Sequence, residues 1–324
     1  MMNYTDIAWC DKTWNPISGC TKCSPGCENC YAEKMARKRF AGRFGYPADD
    51  PFRPGVFRPD RLDEPGKLKR PSRIFVSSMG DLFHAAVPDW MIFAVWEALS
   101  QCDQHRFMFL TKRAGRMRDW FAKLDDTGPL GIGPVLWRDG KHAFDVTNEE
   151  CERVIRSGRG TMFHDWVDSW GDPPEGYSAP TYDWAEGPRW WRTFPNNLWV
   201  GVTVCNQEEA DEKIPLLLSI PAAVRFVSIE PILGPVALTK FIGMISYEPR
   251  IRGLDWVIAG AETGRKARPA NLDWLRSLRH QCYQSETPFF LKQIDARNVD
   301  LLDGHGDKQY PKQQKLWNEM RGGK

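Results

Sequence analysis

Six short apolar, β-branched runs constrain this chain most: Arg73 to Val76, Arg106 to Leu110, Leu198 to Val204, Val224 to Ile229, Trp256 to Ala259 and Phe289 to Leu291. Each ends in small or polar residues. Helical patterns at Tyr31 to Phe40, Pro88 to Gln101, Gln207 to Leu218 and Leu272 to Tyr283 alternate with them. Apolar runs separated by helices predict parallel strands in βαβ units, buried on both faces. The expected fold is an α/β barrel or an open α/β sheet. Pro88 suits a first helical turn, and Asn271 or Asp273 can cap the last helix.

With 324 residues, 42% of them hydrophobic, the chain can bury one full-sized core, and one domain with an insertion is expected. The alternation breaks over 124–195, where Trp137, Trp166, Trp170, Trp184, Trp190 and Trp191 stand among many Gly, Pro and Asp residues. This stretch reads as a lid or substrate-recognition element, or as a satellite core, inserted between barrel segments 1–123 and 196–324. The formal charge of +2 neither demands nor excludes a polyanion. Met1 to Cys10 shows no basic segment followed by an apolar run, and nowhere do about 18 apolar residues stand together. A soluble, cytoplasmic protein without membrane partners is expected.

In parallel α/β folds the active site gathers at the carboxyl ends of the strands. The residues just after each run therefore matter most: Ser77 to Asp81, Thr111 to Arg113, Thr203 to Gln207, Ser228 to Pro231, Gly260 to Gly264, and Lys292 with Gln293.

Of nine cysteines, Cys20, Cys23, Cys27 and Cys30 lie within eleven residues while Cys10, Cys102, Cys151, Cys205 and Cys282 are scattered. That distribution favours reduced, metal-binding thiols over a disulfide framework. Thiolates are soft ligands for iron-sulfur clusters and for zinc. As a zinc site the loop would use two C-x2-C pairs, Cys20/Cys23 and Cys27/Cys30, but only three residues separate the pairs. Full four-cysteine ligation of an electron-transfer cluster is a further alternative.

Cys23-x3-Cys27-x2-Cys30, followed by Tyr31 and a helix, resembles the C-x3-C-x2-C loop of the radical S-adenosylmethionine superfamily. The wider context, Trp14-Asn15-Pro16-Ile17-Ser18-Gly19-Cys20 with Pro25-Gly26-Cys27 and Asn29-Cys30-Tyr31-Ala32-Glu33, resembles a phage- and prophage-encoded branch of it. So do Ser78 to His84, Leu110 to Arg113, Val227 to Pro231, Gly260 to Gly264 and Pro288 to Gln293. The likeness spans nearly the whole chain outside the Trp-rich insertion.

In that branch the first ligand corresponds to Cys20. The resemblance thus implies a 4Fe-4S cluster on Cys20, Cys27 and Cys30, with Cys23 competing for the first place. It further implies a parallel partial (β/α) barrel of about six to seven strands, binding of S-adenosylmethionine, and its reductive cleavage to a 5′-deoxyadenosyl radical. A reductant such as flavodoxin or ferredoxin would supply the electron.

The resemblance places polar groups on the methionyl amine after the second barrel strand, at Ser78 and Asp81, with a helix cap as the alternative assignment. Thr203 and Asn206 are candidates for ribose hydroxyls, and Glu230 and Glu262 are acidic groups near the mouth. Gly260 and Gly264 permit close backbone approach. Lys112, Arg113, Lys292 and Gln293 form a candidate anion- or base-recognising set, or are solvated charges. Cys205 is a candidate hydrogen-atom donor or a small buried hydrophobe, and His84 reads as a satisfied core or surface histidine, or else as a residue lining the cavity.

Trp190 and Trp191 beside Arg189 and Arg192 fit base stacking, so a nucleobase, nucleotide or DNA substrate is one expectation. The competing classes are a zinc or iron-sulfur nucleic-acid-binding module and an electron-transfer protein, neither of which would cleave S-adenosylmethionine.

Overall fold

The structure is a computed structural model that describes residues 3–125, 197–243, 253–295 and 301–311. Seven strands run parallel in one sheet: β2 (Lys12–Trp14), β5 (Arg73–Val76), β6 (Arg106–Thr111), β7 (Leu198–Thr203), β8 (Val224–Ile229), β9 (Trp256–Ala259) and β10 (Phe289–Leu291). They lie side by side in chain order and curl into a half-barrel, while β1 (Asn3–Tyr4) closes the first edge antiparallel to β2. A second small sheet pairs β3 (Ile17–Ser18) with β4 (Val56–Phe57).

The six apolar runs all became strands, four of them residue for residue. Strand β2 carries a single large apolar residue, Trp14, and gave no run to detect. Among the helices, α2 (Asp89–Ser100) begins one residue after Pro88, whose extended backbone places it as the cap rather than in the first turn. Helix α3 (Ala114–Asp125) extends two residues beyond the expected start of the insertion. The rest of 124–195, with its tryptophans, Arg189, Arg192 and Cys151, lies outside the described residues.

Asn206 caps α4 (Gln207–Leu218), its carboxamide oxygen accepting from Glu209 N at 2.9 Å. Asn271 caps α5 (Leu272–Gln284) in the same way through Asp273 N. The expected helix at Tyr31 to Phe40 is one α-turn, α1 (Tyr31–Met35), that widens into a π-helical stretch over Ala36–Phe40.

Side chains alternate across a strand, so each strand contributes to two cores. Ile74, Val76, Phe107, Phe109, Val200, Val202, Val227, Ile229, Val257 and Leu291 face the helices and pack with Trp96, Trp120, Ile214 and Leu278. The alternate residues Phe75, Met108, Trp199, Phe226, Trp256 and Phe290 face the helix-free interior with Trp9 and Cys10. This floor is a network of near-perpendicular rings, Trp199 to Trp256 and Trp256 to Phe290 each at 5.9 Å between centroids. Both chain ends seal it: Trp9 stacks on Phe75 at 4.8 Å, and Trp256 Nε1 donates to Gln309 O at 2.9 Å. Among the described residues no helix is long and apolar enough to cross a membrane.

Candidate metal and cofactor site

The cysteine loop is the connection that leaves β2, the first parallel strand, and enters α1. Gly19 starts it with φ +85, its N–H donating to Met79 O at 3.0 Å. A Cβ there would stand 1.8 Å from Arg53 O, so only glycine fits. Ser24 then caps a 3₁₀ turn over Pro25–Cys27, Oγ accepting from Gly26 N at 3.1 Å, and Cys30 N closes onto Cys27 O at 3.3 Å. All four thiols of the loop are free; Cys20, Cys27 and Cys30 are half-buried and Cys23 is exposed.

Two charged clamps seat this loop across the carboxyl ends of the strands. On one flank Arg113, just after β6, donates through Nη2 to Thr21 O and Oγ1, both at 3.0 Å. His84 joins there: its Nδ1 accepts from Ala86 N, which leaves Nε2 as the donor to Thr21 Oγ1 at 2.8 Å. On the other flank Arg268 donates to both oxygens of buried Glu262 at 2.7 and 2.9 Å, and to Pro25 O and Glu28 Oε2. Asn29 adds a bond from Nδ2 to Glu262 at 3.0 Å. Tyr31 OH donates to Ser78 O at 2.6 Å. In the middle, Gly26 lies so close over Cys205 that a Cβ would come within 2.4 Å of its sulfur.

This seat sets the protonation of the thiols. The Cys23 thiol donates to Cys27, and Cys23 N–H and the Lys112 ammonium also favour a Cys27 thiolate; against the opposing effect of burial they lower its pKa to about 5. The Cys23 thiol is raised correspondingly by that same bond and by burial. Burial, with Asp81 nearby, pushes Cys20 up to about 11, and burial pushes Cys205 up to about 11. Desolvation works against the charge of Lys112, yet Cys27, Cys205, Asp81 and Cys30 around it raise its pKa above the ordinary lysine value.

The remaining candidates divide by how fully they are engaged. Asp81 is buried and saturated: it accepts from Thr111 Oγ1 at 2.7 and 2.9 Å, from Phe83 N at 3.0 Å and from Lys112 N at 3.4 Å. Ser78 Oγ donates to Asn15 Oδ1 at 3.2 Å. Glu230 receives Lys292 Nζ and, at 2.9 Å, Gln293 Nε2, so three candidates from β8 and β10 form one group. A Cβ on Gly260 would meet Gln293 Nε2 at 2.9 Å, and Gly264 has φ +93. Thr203 is buried at the end of β7, and Asn206 is engaged as the α4 cap.

A family model described as a protein of unknown function (DUF5131) matches residues 4–320. The chain belongs to that family. No curated protein and no solved structure matches it.

In this DUF5131 chain, sequence reasoning missed Arg268, Asn29, Asn15 and Tyr31, which hold the loop rather than face its interior. The long-range bonds that their side chains make span 47 to 243 residues, and Arg268 reaches Glu262 over six. Such long-range pairs leave no periodic trace. Among the described residues no group of three His, Cys, Asp or Glu side chains stands in a metal-holding arrangement.

Proposed function

We propose that this chain is a radical S-adenosylmethionine enzyme that holds a 4Fe-4S cluster on Cys20, Cys27 and Cys30. The observation that carries the reading is the position of the cysteine loop: it follows the first parallel strand and is clamped over the strand ends from both flanks. The chemistry of the donors suits such a group, on which the three sulfurs would have to converge. The thiols are free, Cys27 favours the thiolate that metals bind, and the Lys112 ammonium offsets negative charge beside it. Cys20 and Cys30 pack against Ala32, Ala36, Phe52 and Met79, an apolar wall that limits water. Exposed Cys23 is the spare thiol.

Bound there, the cluster would supply the electron for cleaving S-adenosylmethionine to methionine and a 5′-deoxyadenosyl radical. The chain's own residues have simpler tasks. Arg268 and Glu262 fix the loop, Arg113 and His84 fix its other end, and Asp81 orients the backbone after β6 by accepting from Lys112 N. Thr203, Glu230 and Lys292 are in reach of a ligand resting on the strand ends. The sealed floor keeps water from entering from below.

The test is anaerobic reconstitution with iron and sulfide, followed by S-adenosylmethionine and dithionite, with 5′-deoxyadenosine quantified by chromatography. The reading expects its release from the native chain and its loss in Cys27→Ala and Cys30→Ala. A fully iron-loaded chain that releases none would leave an electron-transfer protein as the better account.

A further inference from the structure

The inner face of β7 and β8 carries hydrogen-bonding groups that the fold leaves unused. Thr203 and Ser228 are Cα partners in register, buried to 4% and 2% exposure. The alternation that turns Trp199 and Phe226 inward turns both hydroxyls inward as well. Neither side chain makes a hydrogen bond among the described residues. Two inward positions deeper on β7, past Gly201, Trp199 Nε1 is buried without a partner; directly after β5, Ser77 Oγ is buried without a partner on a backbone at φ +56. Fully buried polar groups are almost always paired, so the unpaired Ser77 Oγ and Trp199 Nε1, beside two inward-facing hydroxyls at one rim, call for a ligand. Positive φ at a non-glycine residue is the kind of strain that gathers at binding sites.

We infer that this face binds the substrate through a flat, uncharged, hydrogen-bonding heterocycle of the nucleobase class, with Thr203 and Ser228 reading its edge. This names the substrate of the enzyme proposed above and rests on that reading. Hydroxyls both donate and accept, which suits a heterocycle edge with mixed groups. The floor beneath is apolar and aromatic, the surface a planar ring prefers. A phosphate is disfavoured because the cations nearby already have partners: Lys292 pairs with Glu230, and Lys112 is surrounded by Asp81 and the thiols of Cys27, Cys30 and Cys205.

The experiment uses the full chain, reduced and free of cluster, with the four 2′-deoxynucleosides and their 5′-monophosphates as probes in thermal melting. At least one nucleoside is expected to raise the melting temperature by about 2–4 °C at saturating concentration, and its monophosphate by less. Thr203→Val and Ser228→Ala should abolish that shift while melting no lower than the native chain without ligand, because each removes an unpaired hydroxyl. Variants that melt several degrees lower unliganded would show that the hydroxyls serve the fold and overturn the inference. So would no response to any nucleoside, or a larger shift from a monophosphate. Iron content and 5′-deoxyadenosine release are read separately, so failure here leaves the radical reading standing.

Discussion

The floor and the rim of the half-barrel are built on the same strands by the same alternation, and two residues along a strand separate one from the other. Trp199 gives way to Gly201 and Thr203 on β7, Phe226 to Ser228 on β8 with Glu230 just beyond it, and Phe290 on β10 to Lys292 just beyond it. Below, aromatic rings interlock around Trp256, with only the indole N–H groups of Trp9 and Trp199 buried without partners among its described residues. Above, thiols, carboxylates, ammonium groups and idle hydroxyls share a small space. The difference teaches where the stability comes from: a tightly packed floor supports a rim that is costly in its own right.

Cysteine chemistry should separate the two regions most sharply. Burial pushes floor residue Cys10 up to about 12, whereas rim residue Cys27 lies near 5. At pH 7 the floor thiol stays protonated, whereas the rim thiol favours the thiolate. Brief iodoacetamide treatment of the cluster-free chain, read by peptide mass spectrometry, should label Cys27 and spare Cys10 and Cys282. Labelling of Cys10 first would erase the contrast.

Packing should show the next largest effect. Trp256→Ala removes the ring at the centre of the floor and is expected to cost about 3–5 kcal/mol in denaturant unfolding. If it costs under about 1 kcal/mol, the floor is not what holds the barrel.

At the rim, Arg268→Ala should cost about 2 kcal/mol by stripping charge-assisted bonds from buried Glu262, and iron loss to a chelator should speed up. The pH dependence follows from the same pair. Hydrogen bonds from Arg268 and Asn29, against the cost of burial, hold the Glu262 carboxyl down at about 2 from an ordinary 4.5. A depressed carboxyl contributes stability that is full above about 4.5 and fades as pH falls toward 2. Arg268→Ala should flatten that slope; an unchanged slope would place the acid sensitivity elsewhere.

The smallest effect is expected at Asn206. Its cap on α4 predicts that Asn206→Ala costs about 1 kcal/mol, with S-adenosylmethionine affinity unchanged. A tenfold weaker affinity measured by calorimetry would return Asn206 to the ligand site.

Much of this architecture was legible because burial on both faces of a parallel sheet leaves dense apolar runs. Val224–Ile229 and Trp256–Ala259 announce themselves, whereas Lys12–Trp14, only three residues long with one large apolar side chain, does not. In α3 the apolar spacing Met117, Trp120, Phe121 was present but surrounded by charges. The cysteines were visible as a cluster, yet the clamps that seat them were not. Arg268 meets Pro25 only after the chain has completed the barrel, and nothing local to either residue encodes that meeting.

The account stands or falls on the metal. Iron and acid-labile sulfide should be quantified in anaerobically prepared protein, with electron paramagnetic resonance of the reduced sample before and after S-adenosylmethionine. About four irons per chain are expected, with a signal that changes when the cofactor is added. Zinc in place of iron, or a cluster signal indifferent to S-adenosylmethionine, would contradict it.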